Sequence, residues 1–481
     1  MRGQTWGSWN SPATGARMEG MKGKRVALPV TVLLTGIFLF LPFEQAQATP
    51  QPETIARSFV EGFVSKDGAI VDMMDAKMRE SFGAERAAAT ADAITARGGK
   101  FLAIDRAVTG KNGGYSIVLL SCSYDRIRIT FRVVIDGTGK VAGFFVADLQ
   151  PREEWRLPPY AKAGSWRDEE VEVGAPGWPL KGSLSIPSGK GPFPAVVLVQ
   201  GSGPSDRDET IGPNKIFADI AAGLASQGIA VLRYDKRTLV YADKMAKVAS
   251  TIGVREETVD DAVAALAFVS RDSRIDVGRV FLLGHSLGAM LAPMIGADAK
   301  ARKIPVAGLV MLAPPESPLE DVIVDQFRYL AKEGSAKAGS ATDSVSAADV
   351  AKIEEEARRV KELAALPSPN DPSPSLLPLG IPASWWRSIA GYDPLRSALG
   401  LGLPLLVIHG SRDYQVRPAE AALWEKGLAG TRDARALLIV GLNHLMLDGK
   451  GPSGPAEYQQ ASHVDRRLIE IVSDFILARH N

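Results

Sequence analysis

The stretch Gly284-His285-Ser286-Leu287-Gly288 constrains this chain more than any other. Before it runs Arg279-Val280-Phe281-Leu282-Leu283, an apolar segment of buried-strand character. After it Ala289-Met290-Leu291-Ala292 opens an apolar helix. A serine between two glycines at a strand-to-helix junction predicts a sharp turn that lifts its Oγ into a cleft. The glycines stand where a Cβ would clash with the neighbouring strand and helix. The surrounding pattern agrees. From Phe193 onward the strand-like runs are Ala195–Gln200, Ile229–Tyr234, Arg279–Leu283, Val306–Leu312, Leu403–His409 and Leu437–Val440. They alternate with helical segments at Ile216–Gln227 and Thr258–Val269, and Arg466–Ala478 reads as a terminal amphipathic helix. That order predicts an α/β fold with a mostly parallel sheet covered on both faces.

A serine hydroxyl is a weak nucleophile without a base in reach and an acid to orient that base. On a strand-turn-helix serine of this kind the partners follow in the order Ser, Asp or Glu, His. The chain has five histidines, so elimination works. His285 sits inside the turn and is expected to point away from the cleft. His409 precedes every acid candidate, and His480 is one residue from the end. His463 falls at the start of the terminal helix. His444, in the loop after Leu437–Val440, is the base of choice. The acid of choice is Asp413, in the turn Gly410-Ser411-Arg412-Asp413 that leaves a buried strand at the sheet edge where catalytic groups gather. Glu420 and Asp448 are weaker substitutes. An oxyanion needs backbone N–H donors. Leu287, following the nucleophile, should supply one, and the loop Gln200-Gly201-Ser202-Gly203-Pro204 the other, with Ser202 favoured over its neighbour Gly203. That loop lacks the spacing of a phosphate-binding loop.

The rest of the chain divides around this unit. Residues 1–48 read as a signal peptide, with Lys22, Lys24 and Arg25 ahead of the apolar stretch Val26–Phe43 and a cleavage site at Ala46-Gln47-Ala48. The chain is therefore expected to be exported, periplasmic or secreted, starting at Thr49, with no membrane association beyond the export signal; the competing reading is an uncleaved membrane anchor, for which an 18-residue stretch is at the short end. Net charge is +1, and removing residues 1–48 takes away five basic and two acidic side chains, leaving −2. No basic run stands out, so nucleic-acid binding is unsupported. The single cysteine, Cys122, forbids an intrachain disulfide and reads as a buried structural thiol. Residues 49–150 form a small α+β unit, with helices around Ile55–Phe63 and Glu85–Arg97 and strands at Tyr115–Cys122, Arg126–Ile135 and Val141–Ala147. A connector (151–168) leads into the larger domain (169–481). Between Val306–Leu312 and Leu403–His409 an insertion, about residues 315–402, has no strand pattern. It carries a charged helix near Ala347–Leu366 and the pair Trp385-Trp386. It is placed to act either as a lid or as a solvated helical decoration. As a lid, its two tryptophans would line an apolar acyl pocket.

Taken together, Gln200–Glu209 with Asn214-Lys215, Arg233-Tyr234-Asp235-Lys236-Arg237, Gly284–Gly288 and Asp413-Tyr414-Gln415-Val416 resemble the signature of the α/β-hydrolase superfamily, and within it exported bacterial serine esterases of the EstD type. The resemblance runs from about Val171 to the C-terminus. It implies a Ser286, Asp413, His444 triad acting on carboxylic esters through an acyl-enzyme, with no metal or organic cofactor. One departure is Gln200-Gly201 where such enzymes usually carry His-Gly. The upstream segment, with Gly98-Gly99, Gly113-Gly114-Tyr115 and Val141-Ala142-Gly143-Phe144-Phe145, is similar to domains of nuclear-transport-factor form that precede these esterases. A peptidase or acyltransferase on the same scaffold is the rival within enzymes. The former would need a carboxylate near the cleft, for which Glu354, Glu355 and Glu356 are helix-surface candidates. A binding protein that has kept the fold is the rival outside them. The sequence leaves the natural ester and the oligomeric state open.

Overall fold

A computed structural model describes residues 51–112, 114–151, 155–336, 345–365 and 371–478. The signal peptide read over residues 1–48, and His480, lie outside the described residues.

The N-terminal unit begins with helix α1 (Pro52–Ser65), whose residues Ile55, Phe59, Val60 and Phe63 recur at helical spacing and are buried. Helix α2 (Gly83–Gly98) follows. Then come four antiparallel strands in sequential order: β1 (Phe101–Asn112), β2 (Tyr115–Tyr124), β3 (Ile127–Ile135) and β4 (Val141–Pro151). Alternation along β2 and β3 turns Val118, Leu120, Cys122, Ile129, Phe131 and Val133 into a core with α1. The opposite face carries Ser121, Arg128 and Thr130. Cys122 is fully buried, and burial pushes its thiol up to about 12, so it is inert at neutral pH. The sequence reading found only three strands. It missed β1 because the register slips at Phe101/Ala103 and again at Ile104/Arg106, which destroys the period of two.

The larger domain contains β5 (Trp166–Val173), β6 (Leu180–Pro187), β7 (Phe193–Val199), α3 (Ile216–Ala225), β8 (Ala230–Tyr234), α4 (Asp260–Val269), β9 (Ile275–His285), α5 (Leu287–Ala301) and β10 (Gly308–Leu312). Four insertion helices follow: α6 (Leu319–Ala336), α7 (Ala347–Glu362), α8 (Ala383–Ser388) and α9 (Pro394–Leu401). The chain then returns to the sheet through β11 (Leu405–Gly410), α10 (Pro418–Leu428), β12 (Ala434–Ile439) and α11 (Arg466–Leu477). The eight strands lie in the order β12-β11-β10-β9-β7-β8-β6-β5. From β12 to β8 they are parallel, and β6 and β5 add an antiparallel edge. The central strands are apolar on both sides because helices cover both faces. Val196, Leu198, Phe281 and Leu283 pack toward α3 and α11, while Val197, Leu282 and Met311 pack toward α4 and α5. Helix α7 starts where Ser346 and Asp349 form a reciprocal capping box. No helix among the described residues is long and apolar enough to cross a membrane.

Crossing of α5 over β7 depends on Gly288, since a Cβ there would overlap the carbonyl oxygens of Val199 and Gln200. Gly288→Ala is therefore expected to lower stability by about 3 kcal/mol. Urea denaturation checks this, and an unchanged midpoint would contradict the packing described.

Candidate active site

Strand β9 ends at His285 and α5 begins at Leu287, so Ser286 occupies the junction alone. Its backbone is in the positive-φ region (φ 53°, ψ −118°), where a non-glycine residue is strained. Two bonds hold it there. The Ser286 N–H donates to the Leu312 carbonyl (2.8 Å), and the Met290 N–H donates to the Ser286 carbonyl (2.9 Å). The Leu287 amide lies in the first turn of α5, where backbone N–H groups have no acceptor within the helix.

Asp413 leaves the end of β11 in a turn that brings two amides onto its Oδ1, from Gln415 (2.8 Å) and Val416 (2.9 Å). Its Oδ2 accepts from Nδ1–H of His444 at 2.7 Å. Both residues are buried. Gly410 allows the two loops to meet, because a Cβ at that position would overlap the Leu442 carbonyl. The aspartate fixes which His444 nitrogen carries the proton, leaving Nε2 as the basic nitrogen. Ser286 and His444 line the same cavity, together with Ser202 and Leu287. The alternatives fall elsewhere. Glu420 accepts from the amides of Glu316 and Ser317 (2.8 and 2.9 Å). Asp448 pairs with Arg467, and His463 pairs with Asp219. His409 donates to the Pro314 carbonyl (3.1 Å) and burial pushes it down to about 4, so it is neutral at neutral pH.

The loop after β7 is pinned from both sides. The Gly201 N–H donates to Glu209 Oε1 (2.6 Å), and the Gly201 carbonyl accepts from Lys236 Nζ (2.8 Å), which also pairs with Glu257 (2.8 Å). The Gln200 side chain donates to the Tyr234 carbonyl, locking the end of β7 where the loop begins. With Gly201 fixed, Ser202 is held at the cavity wall.

His285 is a correction. Instead of pointing away, its ring is buried against that of His444, with centroids 4.8 Å apart, and it borders the cavity. Its Nδ1 donates to Glu209 (3.1 Å) and its Nε2 donates to the His444 carbonyl (2.9 Å). Burial alone would lower its pKa, but the Glu209 carboxylate and the His444 carbonyl outweigh burial and hold it above the ordinary histidine value. A raised folded-state pKa contributes stability that is complete below the unfolded value of about 6.5 and is lost as pH rises through the folded value. Glu209→Gln is thus expected to flatten the decline in unfolding free energy on the alkaline side of pH 6.5. Denaturation curves for both proteins from pH 6 to pH 9 check it, and parallel profiles would contradict the assignment. Sequence reasoning had quoted Glu209 and Lys236 within motifs without giving them a role. Their buried charges were the available signal, but only tertiary placement shows that they grip one loop.

The cavity has a volume of about 450 Å³. The insertion supplies its apolar side through Leu319, Val322, Ile323, Leu379, Ile381 and Trp385. The tryptophan pair divides. Trp385 reaches the cavity and donates through Nε1 to Glu257, whereas Trp386 is buried in the core behind it. Glu354 and Glu355 pair with Arg328 and Arg358, and Glu356 with Lys352; none of the three borders the cavity.

The parallel sheet, the strained serine between β9 and α5, and the Asp–His pair on the following strand ends define an α/β hydrolase. The family described as serine aminopeptidase, S33, matches residues 214–450, and a protein family of unknown function, DUF3887, matches residues 56–144. Esterase EstD of Thermotoga maritima is 41% identical over 363 residues, covering 76% of this chain and 80% of that protein. The chain belongs to the EstD esterase family, and with it to the carboxylic ester hydrolases. Among solved structures it is similar to Est1E from Butyrivibrio proteoclasticus, with 16% identity, 64% of this chain and 98% of that one covered, and a TM-score of 0.41. It is also similar to the hyperthermophilic esterase from the archaeon Pyrobaculum calidifontis, with 18% identity, 65% and 83% coverage and a TM-score of 0.38.

Proposed function

We propose that the protein hydrolyses carboxylic esters of small molecules through a Ser286–His444–Asp413 triad and an acyl-enzyme on Ser286. The observation that carries this reading is the 2.7 Å bond from His444 to a buried, fully engaged Asp413, beside a cavity shared with a strained Ser286. His444 Nε2 takes the Ser286 proton as Oγ attacks the carbonyl carbon. The amides of Ser202 and Leu287 receive the oxyanion. His444 then protonates the departing alcohol, and water repeats both steps on the acyl-enzyme. Asp413 holds the imidazolium that forms at each stage.

The cavity's apolar side suits an ester over a peptide. The carboxylates bordering it, Asp105, Asp206, Glu209 and Glu257, already accept from Ser123, Thr210, Gly201 and Lys236, which leaves them poorly placed to hold a substrate ammonium. The test is turnover of nitrophenyl esters of increasing acyl length beside aminoacyl anilides, using the chain from Thr49. Ester turnover without anilide cleavage is expected; anilide cleavage would move the reading to a peptidase. Export is proposed on the sequence of residues 1–48. Cell fractionation should find the shortened chain outside the cytoplasm, and a cytoplasmic full-length chain would refute it.

A further inference from the structure

The N-terminal domain forms part of the ester cavity. Asp105 and Arg106 from β1, Ser121 from β2, and Arg128 and Thr130 from β3 border the same space as Ser286 and His444. The domain is anchored there by Arg128, which donates to the carbonyl of Gly212, in the hairpin after the Ser202 loop (3.2 Å).

The bulge in β1 produces this wall. Ile104 pairs with Cys122, whose side chain enters the domain core, and the next pairing is Arg106 with Ser121, which faces the opposite way. Asp105 is the extra residue between them. Its carboxylate accepts from Ser123 Oγ (2.5 Å), also on the cavity-facing side. The inserted residue thus places Asp105 and Arg106 on one face, where regular alternation would have sent one of them into the core.

Charge accounting around the cavity singles out Arg106. Asp105, Asp206, Glu209 and Glu257 each accept from a neighbouring protein group, and Arg128 is used on Gly212. Arg106 alone of these charged groups has no hydrogen-bond or ion-pair partner among the described residues, and its side chain is exposed at the cavity wall. An unpartnered guanidinium at a cavity wall is a fork of donors suited to a planar oxyanion.

We propose that Arg106 is a specificity-determining residue that receives a carboxylate carried by one arm of the ester substrate, while the other arm lies against the apolar insertion. This assignment rests on the Ser286 reading above. The experiment compares kcat/KM for two matched pairs: methyl hexanoate against monomethyl adipate, with the carboxylate on the acyl arm, and phenyl acetate against 4-acetoxybenzoate, with it on the alcohol arm. Arg106→Gln in the full mature chain is expected to lower the anionic-to-neutral ratio at least tenfold for one pair. Arg132→Gln, on the same sheet face but outside the cavity, should leave both ratios as they are. Arg106→Lys should restore part of the loss.

An unchanged ratio in Arg106→Gln would overturn the proposal. So would an Arg132→Gln effect of equal size, which would indicate a general change in the domain. A preference for cationic choline esters, lost in Asp105→Asn, would overturn it in favour of a cation site. Failure of the underlying reading is distinguishable, because Ser286→Ala would then still turn over the neutral esters.

Discussion

Ser286→Ala is expected to lower kcat for ester hydrolysis on the order of 10⁵-fold or more, leaving only the rate that binding and backbone donors sustain without a nucleophile. The size follows from the mechanism. No other hydroxyl shares the junction between β9 and α5, and the strain at φ 53° serves to present this one Oγ to the cavity. The fold should be indifferent to the change, because Ser286 is held through its backbone, by Leu312 and Met290. Steady-state kinetics on a neutral nitrophenyl ester, with denaturation midpoints as control, make the check. Near-wild-type turnover would remove Ser286 from the reaction.

Asp413→Asn is the second large effect, with an expected loss in kcat of about 10⁴-fold. The asparagine oxygen can still accept from the amides of Gln415 and Val416, so the turn survives. Its NH₂ group then faces His444 Nδ1. That nitrogen can no longer donate, the proton moves to Nε2, and the nitrogen proposed to take the Ser286 proton ceases to be a base. Stability should change far less than rate. Tautomer-sensitive nitrogen NMR of His444 would report the switch directly, and a loss below tenfold would mean that another group orients the base.

Parts of this site were legible because the chemistry imposes chain order. Ser286, Asp413 and His444 each follow a strand end, and with five histidines elimination could isolate one. What stayed hidden depended on three-dimensional placement. The bulge at Asp105 erased the alternation that would have revealed β1, and the same residue turns Arg106 toward the cavity. His285 was read from its position beside the nucleophile, yet its two ring nitrogens are engaged by Glu209 and by the His444 backbone, which no local pattern encodes. Trp385 and Trp386 are adjacent in sequence and were read as one feature. A short helix turns one to the cavity and the other to the core. Docking of the N-terminal sheet over the cleft left no periodic trace at all, since Ser121, Arg128 and Thr130 look like an ordinary wet strand face.

The central claim is that Ser286 becomes covalently acylated. The most direct measurement is treatment of the chain from Thr49 with a fluorophosphonate, followed by peptide mapping by mass spectrometry alongside residual ester hydrolysis. One adduct on the peptide containing Gly284–Gly288, located at Ser286 and growing in proportion to the loss of activity, is the predicted result. Complete inactivation with Ser286 unmodified, or stoichiometric labelling at Ser286 with activity intact, would contradict it.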